Sequence, residues 1–142
     1  MILQAASATD GPGLLSREQA RRLADRVLSF ATVSTGVDQA RVNITSEWGG
    51  NTRFADASIT TSGGVTNTSV TVTVTIGRRR ASASTNVLED GSLERTVELA
   101  ATLARLSPED VELMPELGPQ TYGTVNAFVE RTASLDPEVR SG

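Results

Sequence analysis

The chain has 142 residues, 13 of them arginine or lysine against 17 acidic, giving a net charge of −4. It contains no cysteine and no histidine, which excludes a disulfide framework, thiol catalysis, a Ser-His triad and any zinc site built on those ligands. One domain is expected at this length, and a net acidic chain is a poor general polyanion binder.

No apolar run approaches the roughly 20 residues that span a bilayer. The first residues lack the basic start of a signal peptide. These features lead to an expectation of a cytoplasmic protein that does not enter membranes. With aromatics at only 4%, the core must be built from Val, Leu, Ile and Ala.

Residues 1–13 are small, polar and broken by Gly and Pro, and are read as a flexible arm with a short strand at Met1–Leu3. The α+β domain is expected over residues 14–106. Ser16 and Gln19 have the spacing of a capping box. Ala20, Leu23, Ala24, Val27, Leu28 and Ala31 then share one helical face.

Four strands follow in this reading. Ala40, Val42 and Ile44 alternate with Arg41, Asn43 and Thr45, giving the first. Gly49-Gly50 reads as a turn. The second strand is placed over Asn51–Thr61, with Phe54 in or beside the core. Ser62-Gly63-Gly64 reads as the next turn. The third strand is the plainest: Val70, Val72, Val74 and Ile76 point one way, and Ser69, Thr71, Thr73 and Thr75 the other. β-Branched residues in this pattern suit a half-buried strand. Gly77 and Arg78 begin a tight reversal into Arg80–Thr85, where Ala81 and Ala83 are small enough for a helix to approach.

A second helix is expected from an N-cap at Asp90 or Ser92. Leu93, Val97, Ala100 and Ala104 form its stripe, with Leu99, Leu103 and Leu106 beside it. Ser107-Pro108 ends it. Residues 107–142 are rich in Pro and Gly and read as an extended tail or linker toward a further domain. Thr124–Thr132 is a candidate strand, and Ser134 or Asp136 with Pro137 a candidate helix start. The sum is a two-layer α+β sandwich: an antiparallel sheet of about four strands, two amphipathic helices on one face, order α-β-β-β-β-α, and the tail.

No constellation carries catalysis. Arg78, Arg79 and Arg80 could contact an anion, although a solvated turn that discourages edge pairing is the plainer account. Thr71 and Thr73 could belong to a hydroxyl surface for a partner, or simply to the exposed face of an antiparallel sheet. Glu109, Asp110, Glu112 and Glu116 lack the ligand spacing of a calcium loop. Asp38 and Asp56 could be a carboxylate pair only if the fold brought them together. Neither Gly-Gly pair has the Gly-Lys-Ser/Thr ending of a phosphate loop.

NTRFADA at Asn51–Ala57, the TVTVTIGRR stretch, ASASTN at Ala81–Asn86, a helix opened by Asp90-Gly91-Ser92-Leu93, LARLSPED and LMPELGP at Leu113–Pro119 occur in this order. In that order they resemble the N-terminal part of the TldD/PmbA family over roughly residues 16–140. The family comprises metal-dependent peptidases and their inactive partners, also described as modulators of DNA gyrase, which assemble as two-subunit particles. The resemblance implies a non-catalytic N-terminal domain with a structural and dimer-assembly role. It also implies partners in a peptidase domain of the same chain and in a homologous subunit, with an unfolded peptide as a further candidate. The family's zinc, held by an HExxxH helix, would belong to a C-terminal domain. No catalytic, cofactor or metal residue carries over to this chain. The alternative is a free-standing binding or assembly module using the Thr-rich sheet face or an edge.

Overall fold

Alternating aliphatic and hydroxyl side chains produce the centre of the molecule. In a computed structural model, which describes residues 13–34, 36–114, 117–118, 120–123, 125–133, 135–136 and 139, the elements run α1 (Arg17–Val33), β1 (Gln39–Ala55), β2 (Ser58–Ile76), β3 (Arg79–Thr85), α2 (Asp90–Leu106) and α3 (Glu130–Ala133). Among the described residues the strands form one antiparallel sheet in the order β1-β2-β3. The α+β class and the pair of helices on one face agree with the sequence reading.

The count of four strands and the α-β-β-β-β-α order do not. The strands expected at Ala40–Thr45 and Asn51–Thr61 are not separate: β1 runs through Gly49-Gly50 without turning, and β2 runs through Ser62-Gly63-Gly64. The two glycine pairs meet across the ladder, with Gly50 opposite Gly64 and Asn51 opposite Gly63. The reversal falls instead at Asp56-Ala57, both in the left-handed region (φ 51° and 56°). A two-residue hairpin turn requires positive φ at both central positions, and Asp tolerates it. A bulge follows, because Phe54 pairs with Ile59 and Arg53 with Thr61, leaving Thr60 without an opposite residue.

Glycine at position 64 serves close approach rather than turning. A Cβ there would lie 2.9 Å from the Trp48 indole nitrogen. The ring therefore lies diagonally across the bare backbone, an arrangement that shields a glycine within a ribbon.

The core lies under the other end of this hairpin. Val70, Val72 and Val74 of β2 are fully buried, together with Val27 of α1 and Leu93, Val97, Ala100 and Ala104 of α2. Ala40, Val42, Ile44 and Ala81 pack at its margin. Ala83 is buried, and α2 lies over β3 and β2 as the small residues there permit. Each fully buried valine or leucine contributes about 1.5–3 kcal/mol relative to exposure.

Caps and ties fix the helices. Ser16 Oγ accepts from Gln19 N at 3.2 Å, and Ser16 N donates to Gln19 Oε1 at 2.7 Å, completing the expected capping box. The N-cap of α2 is Glu89 rather than the expected Asp90 or Ser92, and it makes no side-chain cap bond. Arg26 joins the helices by donating to Leu88 O at 3.0 Å and pairing with Asp90 at 3.0 Å.

Other expectations need correction. Phe54 is not a core residue; it is 52% exposed on the far part of the hairpin. The candidate strand Thr124–Thr132 is absent among the described residues, and Glu130–Ala133 forms a short helix instead. Asp136 Oδ1 accepts from Val139 N at 2.8 Å, a bond of helix N-cap type, as its position before Pro137 suggests. Met1–Leu3, Ser134 and Pro137 lie outside the described residues.

Candidate interaction surfaces

Three surfaces carry the residues singled out by sequence. The first is the sheet face away from the helices. Thr71 and Thr73 lie there, as their alternation with buried valines requires. Each hydroxyl is matched across the β2–β3 ladder: Thr71 Oγ1 to Ser84 Oγ at 2.8 Å, and Thr73 Oγ1 to Ser82 Oγ at 2.8 Å. Cross-strand hydroxyl pairs of this kind stabilise a sheet modestly. Arg41, Asn43 and Arg80 are exposed alongside.

The second surface is the turn between β2 and β3. Gly77 has φ 58°, and Ile76 pairs with Arg79 around a two-residue loop. This is the tight reversal expected at Gly77-Arg78. Asp38 Oδ2 accepts from Gly77 N at 2.6 Å, anchoring the turn to the start of β1. The three arginines separate here. Arg78 Nε donates to Asp110 O at 3.2 Å, and its Nη2 donates to Val111 O. Arg79 Nη1 donates to Ser107 O at 2.8 Å and to Arg105 O at 3.4 Å, while its Nη2 pairs with Glu109 at 3.4 Å. Arg78 and Arg79 therefore bond to main-chain carbonyls of the segment that follows α2. Sequence reasoning missed this because the carbonyls they bind belong to no motif. An open pocket of about 230 Å³ lies beside the turn, lined by Asp38, Gln39, Thr75, Gly77, Arg78, Leu113 and Met114.

The acidic residues are dispersed in the same way. Glu109 faces Arg79, and Asp110 closes a local turn by accepting from Glu112 N at 3.0 Å and Leu113 N at 3.2 Å. Glu116 lies outside the described residues. Asp38 and Asp56 sit at opposite ends of β1, so they make no carboxylate pair. Among the described residues no group of three or more acidic side chains could hold a metal ion. Nor is any helix among them long and apolar enough to cross a membrane.

The third surface is the far half of the β1–β2 hairpin, which sequence reading did not anticipate. β3 pairs with β2 only from Val70 to Ile76, so the ribbon continues beyond it over Ser58–Ser69, about 40 Å of strand. The pairing register places Trp48, Phe54 and Ile59 on the same face as the buried valines. There the helices no longer cover them, and they are 42%, 52% and 38% exposed. Val65 is exposed on the opposite face. Thr52 Oγ1 is buried without a hydrogen-bond partner among the described residues. The entry to α1 touches the base of this arm: Leu15 N donates to Ser46 Oγ at 3.0 Å, and Ser46 Oγ and Thr68 Oγ1 lie 3.0 Å apart. The run from Ser58 to Ser69, rich in hydroxyl residues and without Pro or charge, is the signal that could have revealed the long strand.

No protein-family model matches this chain, and no curated protein does. Solved structures do. TldE from Thermococcus kodakarensis superposes with a TM-score of 0.63 over 84% of this chain and 26% of that one, at 14% identity. A protein described as a candidate modulator of DNA gyrase, from Bacteroides thetaiotaomicron, superposes with a TM-score of 0.62 over 86% of this chain and 28% of that one, at 18% identity. At these identities the likeness is one of fold. It is the fold expected from the resemblance to the TldD/PmbA family, and this chain spans little more than a quarter of either neighbour.

Proposed function

We propose that this chain is the N-terminal, non-catalytic α+β part of a TldD/PmbA-type peptidase assembly. Its role is structural: packing on a peptidase domain, building the dimer with a homologous subunit and guiding an unfolded peptide. The observation that carries this reading is the asymmetry of the fold match, which takes in most of this chain and about a quarter of each neighbour. A unit of that kind needs surfaces to pack with. The arm residues Trp48, Phe54 and Ile59 and the α2 residues Leu99, Leu103 and Leu106 supply exposed apolar area.

The family's zinc does not fit these residues. The chain has no His and no Cys, and no acidic cluster among the described residues replaces them. In this reading the chemistry belongs to the peptidase domain. The test is to assay the purified chain for zinc uptake and for hydrolysis of an unfolded peptide. The expected result is neither; stoichiometric zinc or hydrolysis above background would reject the reading.

The open hydroxyl face favours a second reading, a free-standing binding or assembly module. Thr71, Thr73 and exposed Arg80 would then contact a protein partner. Loss of a specific pull-down complex on Thr73→Asp, with the fold retained, would distinguish this reading from the first. Contact of the exposed Arg80 with nucleic acid predicts salt-sensitive binding; no mobility shift at low salt removes it.

A further inference from the structure

The turn between β2 and β3 is tied to a segment that no sequence motif links to it. An α-helix leaves its last carbonyls without intrahelical donors. In α2, Leu103 O and Ala104 O are met by Ser107 N at 2.9 and 3.3 Å. Pro108 has no N–H to continue the series. Arg105 O and Ser107 O instead receive Arg79, a cation placed where the helix dipole favours one. Arg78 takes the next carbonyls, Asp110 O and Val111 O, and its own carbonyl accepts from Asp110 N at 2.7 Å. The result is a run of contacts along the departing chain, and Leu113 ends half-buried beside the turn.

We propose that the β2–β3 turn is a clamp that fixes the path of the chain leaving α2. Arg79 and Arg78 are its positioning residues, and they hold by guanidinium bonds to main-chain carbonyls rather than by the Arg79–Glu109 ion pair. That pair is 3.4 Å apart with side chains 38% and 60% exposed, a setting in which salt bridges contribute little. Arg78 reaches its two carbonyls with two nitrogens of the guanidinium fork, Nε and Nη2, a geometry that lysine lacks. Because the acceptors are main-chain atoms, the clamp does not depend on which side chains occupy positions 105–111. It stands whether or not the chain belongs to a peptidase assembly.

Amide hydrogen exchange on the intact chain tests this. In Arg79→Ala and in Arg78→Lys, the Asp110 and Leu113 amides should exchange at least about tenfold faster, the loss expected for hydrogen bonds made by a charged donor. Amides in the middle of α2 serve as the internal reference and should keep their rates. Glu109→Gln should leave Asp110 within about twofold of the parent, as should Arg80→Ala. Arg78→Ala leaves the Arg79 contacts in place and poses the same question at Asp110, should Arg79→Ala disturb α2. Parental exchange at Asp110 in both arginine variants would overturn the clamp. Release by Glu109→Gln as large as that by Arg79→Ala would overturn the carbonyl mechanism in favour of the ion pair.

Discussion

The two halves of the β1–β2 hairpin share one ladder and differ in what covers them. Near the helices, Val42 faces Val72 and Ile44 faces Val70 on the covered side. Farther out, the same side carries Ser46, Trp48, Gly50, Thr52 and Phe54 against Thr68, Thr66, Gly64, Ser62 and Ile59. The aliphatic half is buried and the hydroxyl-glycine half is not. Backbone pairing alone continues through both, so the sheet's hydrogen bonds do not mark where the core ends. Side-chain volume does. A two-stranded ribbon on its own is marginally stable in water, so the arm borrows order from the packed end.

That contrast sets an order of mutational effects. The largest should come from Val72→Asp, which buries an unpaired carboxylate beneath both helices. Its cost, several kcal/mol, is comparable to the whole stability of a small domain, and urea titration should find the variant unfolded. Thr73→Asp, the next residue but on the open face, should stay within about 1 kcal/mol of the parent. Equal damage from both would mean that the sheet is covered on two sides. Leu93→Ala should cost about 2–5 kcal/mol in the same titration, since its fully buried side chain leaves a cavity. Ser16→Ala removes a cap at the edge of the packed half and should cost about 1 kcal/mol.

The smallest global effect should come from the arm. Replacing residues 49–65 by Asn-Gly, a two-residue turn joining Trp48 to Thr66, should leave stability within about 1 kcal/mol. A loss of several kcal/mol would show that the arm contributes to the core. Gly64→Val is the finer probe: it should displace the Trp48 ring and change its fluorescence while the unfolding midpoint moves little.

The same contrast explains what could be read in advance. Where burial and alternation coincide, at Ser69–Ile76 and along both helices, period and core agreed with the fold. The capping box at Ser16 and the reversal at Gly77 were legible because their bonds lie within a few residues. The arm was misread because glycine carries two meanings, freedom to turn and room for a neighbour. Only the pairing register brings Trp48 onto Gly64 and opposes the two glycine pairs. The turn was hidden because Asp56-Ala57 lacks the usual glycine. The roles of Arg78 and Arg79 were illegible because main-chain carbonyls thirty positions away have no signature in side-chain sequence. Leu99, Leu103 and Leu106, placed beside the stripe by sequence, are left exposed because the stripe centred on Leu93 and Val97 fills the space against the sheet.

The paired hydroxyls of the open face have a consequence for wetting. A hydroxyl that depends on water for its hydrogen bond imposes a penalty of about 1–3 kcal/mol when water is removed. Thr71 with Ser84, and Thr73 with Ser82, already bond to each other at 2.8 Å. A layer laid over them would therefore strip water from groups whose bonding is largely satisfied in advance. The two hydroxyl pairs can stay solvated in isolation and still be dried at low cost, which the charged Arg41 and Arg80 beside them cannot.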